Sequence, residues 1–112
     1  MSDLSSRKCV PCEGGVPPLS SAQAQALMKQ LSPEWHLAQD GKSITSAWKF
    51  RNFFHTMSFV NAVAHIANTE DHHPDVELGY GYCRIRYNTH VIGGLSENDF
   101  ICAAKIDALP RP

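Results

Sequence analysis

The chain has 112 residues, 43% of them hydrophobic and 19% charged, which fits one compact domain of ordinary globular composition and leaves no room for two. Ten Lys and Arg against eleven Asp and Glu give a formal charge of −1; this is not the electrostatic footprint of a phosphate-backbone binder, so nucleic acid is not an expected partner. No apolar run approaches the roughly 20 residues that span a bilayer, and Met1 to Val10 lacks the apolar stretch of a secretory signal, so the expectation is a soluble cytoplasmic protein with no membrane partner.

Residues 1–19 carry Pro11, Gly14, Gly15, Pro17 and Pro18, a density of breakers that predicts an N-terminal arm, ordered only where it docks on the body formed by residues 20–112. Ser20 followed by Gln23 has the form of a capping box, and Ser21 to Leu31 reads as a first helix, with Ala22, Ala26, Leu27 and Leu31 apolar before Pro33 stops it. Trp35 to Ala38 and Ser43 to Phe50 flank an Asp40-Gly41 turn signal and predict two antiparallel strands. Asn52 is a candidate N-cap for a long helix through about Asn68, with Phe53, Met57, Val60, Ala64 and Ala67 as one stripe and Phe59, Val63 and Ile66 widening it. So wide an apolar face predicts packing on a sheet.

After His72-His73-Pro74, the residues Val76, Leu78 and Tyr80 alternate with polar or small neighbours, as do Cys83, Ile85 and Tyr87, predicting a second hairpin through Gly79 to Gly81. Gly93-Gly94 breaks the chain, and Ser96 with Asp99 resembles a second capping box before a last helix covering Phe100, Ile101, Ala103, Ala104 and Ile106. The order α-β-β-α-β-β-α predicts an α+β fold, a four-stranded antiparallel sheet with helices packed on one face. Its bare face and edge strands are candidate oligomer surfaces.

Cys9, Cys12, Cys83 and Cys102 are too few and too scattered for a disulfide scaffold, so reduced thiols are expected. Cys9-Val10-Pro11-Cys12 has zinc-knuckle or redox spacing but no second such pair; surface thiols on the arm are the plain reading and a structural zinc the sharper one. Six histidines are the compositional oddity. His72 and His73 lie where the long helix meets Pro74, and neighbouring side chains that point apart flank a ligand more readily than they chelate one metal. His90 is expected at a strand end before the Gly-Gly turn, where sites are common. Three imidazoles from two chain segments can converge on one cleft; the alternative is three half-exposed surface histidines. His36, His55 and His65 receive no role.

Asp71-His72-His73-Pro74, then an aromatic after five residues (Tyr80), His90 preceded by Thr89 after nine more, and Asp99 after eight more, together resemble the motif of the pterin-4a-carbinolamine dehydratases. The likeness extends to Gly94–Phe100, to Phe53 and Phe54, and to the Cys9–Pro18 segment, so it covers most of the chain. It implies dehydration of a 4a-hydroxytetrahydropterin to the quinonoid dihydropterin, with neither metal nor organic cofactor, by a homodimer or homotetramer that serves tetrahydropterin recycling beside an aromatic amino acid hydroxylase. The chemistry suits imidazole: hydroxide leaves C4a poorly unless protonated, N5 must lose a proton, and a group with a pKa near 6.5 can do either at neutral pH.

By the same resemblance His72 and His90 transfer protons at the 4a-hydroxyl and N5, His73 positions the substrate with a share in the chemistry, and Asp71, Tyr80, Thr89 and Asp99 bind substrate. Capping of Ser96 is a full alternative for Asp99, and core packing for Tyr80. The family commonly carries an ionisable residue four before the first histidine, where this chain has Asn68, with Glu70 and Asp71 the nearest substitutes. Arg84 and Arg86 share a strand face and are kept out of the site. Two other classes compete: a non-catalytic binding or assembly module on the same fold, and a small metal protein using Cys9, Cys12 and histidines.

Overall fold

The computed structural model describes residues 4–11 and 16–110, so Cys12, Gly14 and Gly15 lie outside the described residues. Among those described, α1 (Ser21–Met28), α2 (Phe53–Glu70) and α3 (Glu97–Asp107) pack with β1 (Trp35–Leu37), β2 (Ile44–Lys49), β3 (Asp75–Gly79) and β4 (Tyr82–Tyr87), in the order α-β-β-α-β-β-α. The four strands form one antiparallel sheet ordered β1-β2-β4-β3. This is the α+β architecture the periodicities predict. No helix among the described residues is long and apolar enough to cross a membrane.

Strand alternation sorts the two sheet faces. Ile44, Ser46 and Trp48 of β2 stand in register with Tyr87, Ile85 and Cys83 of β4, and all six are buried. Thr45 and Ala47 share the other face with Arg86 and Arg84, which pair with Asp75 and Glu77 of β3 and leave that face polar and exposed. In the β3–β4 turn, Gly81 is required by close approach: a Cβ there would stand 2.7 Å from the Phe50 carbonyl oxygen.

Four expectations are corrected. The first helix stops at Met28 rather than Leu31, because Gln30 and Leu31 tighten into turns on Leu27 and Met28 ahead of Pro33, and Asp107 captures the Ser32 backbone at 2.8 Å. The buried stripe of α2 is Thr56, Phe59, Val63 and Ala67, while Phe53 and Ala64 are exposed; a face this wide has one half on the sheet and one half outside. His90 does not end a strand: β4 closes at Tyr87, Thr89 bridges to Gly94, and His90–Ile92 form a 3-10 turn. Tyr80 is no core residue, standing 70% exposed at the hairpin tip.

The N-terminal segment is a strap fastened to the body. Leu4 is buried in the core, within a 3-10 turn packed on α3. Lys105 donates to the Ser5 carbonyl at 2.9 Å, Cys9 N–H donates to Glu70 Oε1 at 2.8 Å, and Asn98 exchanges two hydrogen bonds with the Val10 backbone at 3.1 and 2.6 Å. With the strap on one side and α2 on another, α3 is buried nearly all round. Leu4→Ala is therefore expected to cost about 2–4 kcal/mol in urea unfolding, whereas Ser5→Ala, exposed and holding only through its backbone, should stay within about 0.5 kcal/mol. Equal stabilities for the two variants would contradict a docked strap.

Candidate active site

The end of α2 is built to present two histidines. Asp71 adopts the left-handed conformation (φ 53°, ψ 43°), its N–H and that of His72 both closing on the Ala67 carbonyl, so the chain turns off the helix axis at once. Aspartate tolerates this region better than most side chains. Pro74 then holds His73 away from helical geometry, and the pair emerges into a cleft of about 650 Å³ whose lining includes Asp71, Asp75, Arg86, Asn88, Thr89 and His90.

His72 is the most constrained of the imidazoles. Its ring stacks on Tyr87 at 5.4 Å between centroids and 9° between planes, and Nε2 lies 2.6 Å from Oδ1 of Asp99. Asp99 is fully buried, and its second oxygen accepts from Thr89 Oγ1 at 2.9 Å and from the Ser96 N–H at 3.0 Å. A buried carboxylate must be fully partnered, and here the partners fix its orientation. The capping reading of Asp99 is seen directly, one oxygen capping α3, while the other oxygen holds His72. Burial by itself disfavours the His72 imidazolium, but the hydrogen bond and charge of Asp99 outweigh it, so His72 titrates above the usual histidine range.

His73 is exposed, with Nε2 3.2 Å from Asn68 Oδ1. Asn68, four residues before His72, thus supplies a neutral acceptor to His73. Of the two nearby acids, Glu70 faces the strap, where the Cys9 N–H holds its carboxyl below the usual range despite desolvation, and Asp71 lines the cleft. His90, also exposed, enters from the 3-10 turn opposite.

The cleft thus brings together His72, His73, His90, Asp71 and Thr89, with Asp99 directly behind. Tyr80 is not among its lining residues. The Thr89 hydroxyl is already engaged by Asp99 and by Ser96 Oγ at 2.6 Å. Sequence reasoning missed Asp75, Asn88, Val91 and Pro11 and set Arg86 aside, yet Arg86 lines the cleft in an ion pair with Asp75 at 3.2 Å. Alternation on β4 already placed Arg86 opposite the core; the register with Asp75 was the missing signal. Among the described residues no group of three or more His, Cys, Asp or Glu is placed to hold a metal ion.

A family model described as pterin 4 alpha carbinolamine dehydratase matches residues 17–109. A protein of Nitrosomonas europaea, provisionally named pterin-4-alpha-carbinolamine dehydratase, is 57% identical over 107 residues, covering 96% of this chain and 93% of its own. One from Legionella pneumophila with the same provisional name is 54% identical over 96% of both chains. Among solved structures, a transcriptional coactivator/pterin dehydratase from Brucella melitensis superposes with a TM-score of 0.76 at 26% identity, covering 81% of this chain and 96% of that one. A pterin dehydratase-like protein described as a RuBisCO assembly factor of the alpha-carboxysome shares the fold, with a TM-score of 0.58 at 21% identity over 67% of this chain and 87% of its own.

The raised titration of His72 fixes the sign of a pH effect. A histidine with a folded pKa above its unfolded value of about 6.5 stabilises the fold fully below that pH and loses the contribution as pH rises through the folded value. The stability advantage of the native chain over His72→Gln, which keeps a neutral donor, is expected to be largest below about pH 6.5 and to shrink above it. Urea unfolding across this range measures it, and a difference independent of pH would contradict the His72–Asp99 pairing.

Proposed function

The chain belongs to the pterin 4 alpha carbinolamine dehydratase family, and from that premise we propose that it dehydrates a 4a-hydroxytetrahydropterin to the quinonoid dihydropterin and water. The observation that carries the reading is the convergence of His72, His73 and His90 on one cleft, with His72 held by a buried carboxylate. In the proposed step the C4a–O bond breaks as the hydroxyl takes up a proton and leaves as water, while N5 gives up its proton and C4a=N5 forms. One group must donate and another accept, and imidazoles meet both needs near neutral pH.

The Asp99 carboxylate favours the protonated form of His72, which suits it to donate at the 4a-hydroxyl. His90, across the cleft, then acts at N5, and His73 positions the pterin while sharing in proton transfer. Asp71 and Thr89 line the binding surface, Asp99 acts through His72, and Tyr80 reaches a pterin only if a second copy brings it there. Neither metal nor organic cofactor enters this scheme. The physiological setting that fits is tetrahydropterin recycling in the cytoplasm, with an aromatic amino acid hydroxylase as source of the carbinolamine.

The working unit is proposed to be a homodimer or homotetramer. β3 is an edge strand whose Val76 and Leu78 are 39% and 38% exposed, and Phe53 and Phe54 stand out from the start of α2. An edge with apolar side chains invites pairing. Light scattering at micromolar concentration should therefore give a multiple of 12.4 kDa, and a monomer would overturn this part of the proposal.

Stopped-flow measurement of carbinolamine loss tests the reaction itself. The pure protein should accelerate it with or without chelator. His72→Ala, His73→Ala and His90→Ala should each lower the rate by about 10- to 10⁴-fold, while His36→Ala, His55→Ala and His65→Ala should be nearly silent. Folded protein that leaves the uncatalysed rate unchanged would favour the alternative, a non-catalytic assembly module on this fold.

A further inference from the structure

The mechanism above uses no cysteine, yet two thiols far apart in sequence meet beneath the strap. Cys9 Sγ lies 3.5 Å from Cys102 Sγ across a separation of 93 residues. Cys9 is half-buried at the surface of the strap and Cys102 is fully buried on α3, and both are free thiols. The contact is held from both sides: the Cys9 N–H is bonded to Glu70, and the next residue, Val10, is tied by two hydrogen bonds to Asn98, one turn before Cys102 on α3. Backbone anchors this close to the sulfur keep the two thiols in register through side-chain motion.

We propose that Cys9 and Cys102 form an oxidation site, a reversible disulfide that latches the strap covalently onto α3 when the protein meets a peroxide. A disulfide needs an S–S distance of about 2.05 Å, so the sulfurs must close by about 1.5 Å, a movement on the scale of small χ1 rotations in the two side chains. Cys9 is the sulfur that hydrogen peroxide can reach, and because its hydrogen bond to Cys102 and its burial push its thiol up, it gives up its proton only as it reacts: the O–O bond breaks, Cys9 becomes a sulfenic acid and one water leaves. Cys102 Sγ then attacks Cys9 Sγ, the S–O bond breaks, and the departing hydroxide takes the Cys102 proton as a second water. The peroxide is reduced and the two thiols are oxidised. The hydrogen bond with Cys9 lowers the Cys102 thiol below its ordinary range despite burial, which favours Cys102 as the attacking sulfur. The third described thiol, Cys83, is buried elsewhere in the core and pushed up to about 11 by desolvation, so it serves as an internal control.

The latch lies next to the cleft. Pro11, two residues beyond Cys9, is part of the cleft lining, and Cys102 Sγ lies 4.0 Å from the His72 carbonyl oxygen. Oxidation therefore fixes the cleft wall contributed by the strap. The inference stands on the thiol geometry alone and holds whatever reaction the cleft performs.

The test is to treat the intact folded protein with hydrogen peroxide, block remaining thiols, and map disulfide-linked peptides by mass spectrometry. The expected result is a Cys9–Cys102 linkage with Cys83 blocked as a free thiol. Closing so long a loop should raise Tm by about 10–25 °C, reversibly with dithiothreitol. Cys12→Ser should keep both the linkage and the Tm shift, and Cys9→Ser should lose both. Cys102→Ala serves as a second variant, and because the mapping is done on the native chain, the result does not depend on how well that variant folds. A Cys9–Cys12 linkage, an intermolecular linkage, or oxidation of Cys9 to sulfinic acid with no cross-link would each overturn the proposal.

Discussion

The Asp99 carboxylate is the constraint on which the rest of the structure depends. It is fully buried, and an ionised group in that position is tolerable only when its lone pairs are filled. The fillers come from three separate pieces of chain: His72 after α2, Thr89 after β4, and Ser96 at the start of α3. If Asp99 is removed, His72 and the Ser96 N–H each lose a partner while Thr89 keeps the Ser96 hydroxyl, at about 1–3 kcal/mol for every buried group left unsatisfied. One side chain thereby fixes where α3 begins, how the loop after β4 closes, and which way the candidate proton donor points.

Much of the fold was legible because its elements carry the period of their own secondary structure. Alternation on β4 gives the buried set Cys83, Ile85 and Tyr87, and the Asn52 cap marks where α2 starts. The failures share a cause, which is that tertiary contacts overrule local pattern. Ala64 and Phe53 continue the apolar pattern of Val63, but only the flank of α2 that meets the sheet and α3 is buried. Breakers between Pro11 and Pro18 predict an arm ordered only where it docks, and the docking itself, with Leu4 buried and Asn98 holding Val10, has no local signature.

The site divides in the same way. The histidines stood out by number and by their place before Pro74, and the motif spacing tied His90 and Asp99 to them. The turn that aims them was not readable, because an aspartate in the left-handed region has no distinctive local signature. Nor was the Arg86–Asp75 pair, which depends on strand register rather than on either residue. Tyr80 shows the converse: it fits the motif, but in a single chain it stands on the far hairpin tip.

The strap and the buried carboxylate also set an order in time. The anchors of the strap on α3 are 88 to 100 residues away along the chain, so until α3 exists the strap has only its contact with Glu70 of α2 to hold it. The same holds for the candidate site, where His72 precedes the Asp99 that holds it by 27 residues. A nascent chain ending before α3 lacks the Asn98 and Lys105 anchors of the strap and the carboxylate that holds His72. During synthesis, the site comes into being only with the final helix.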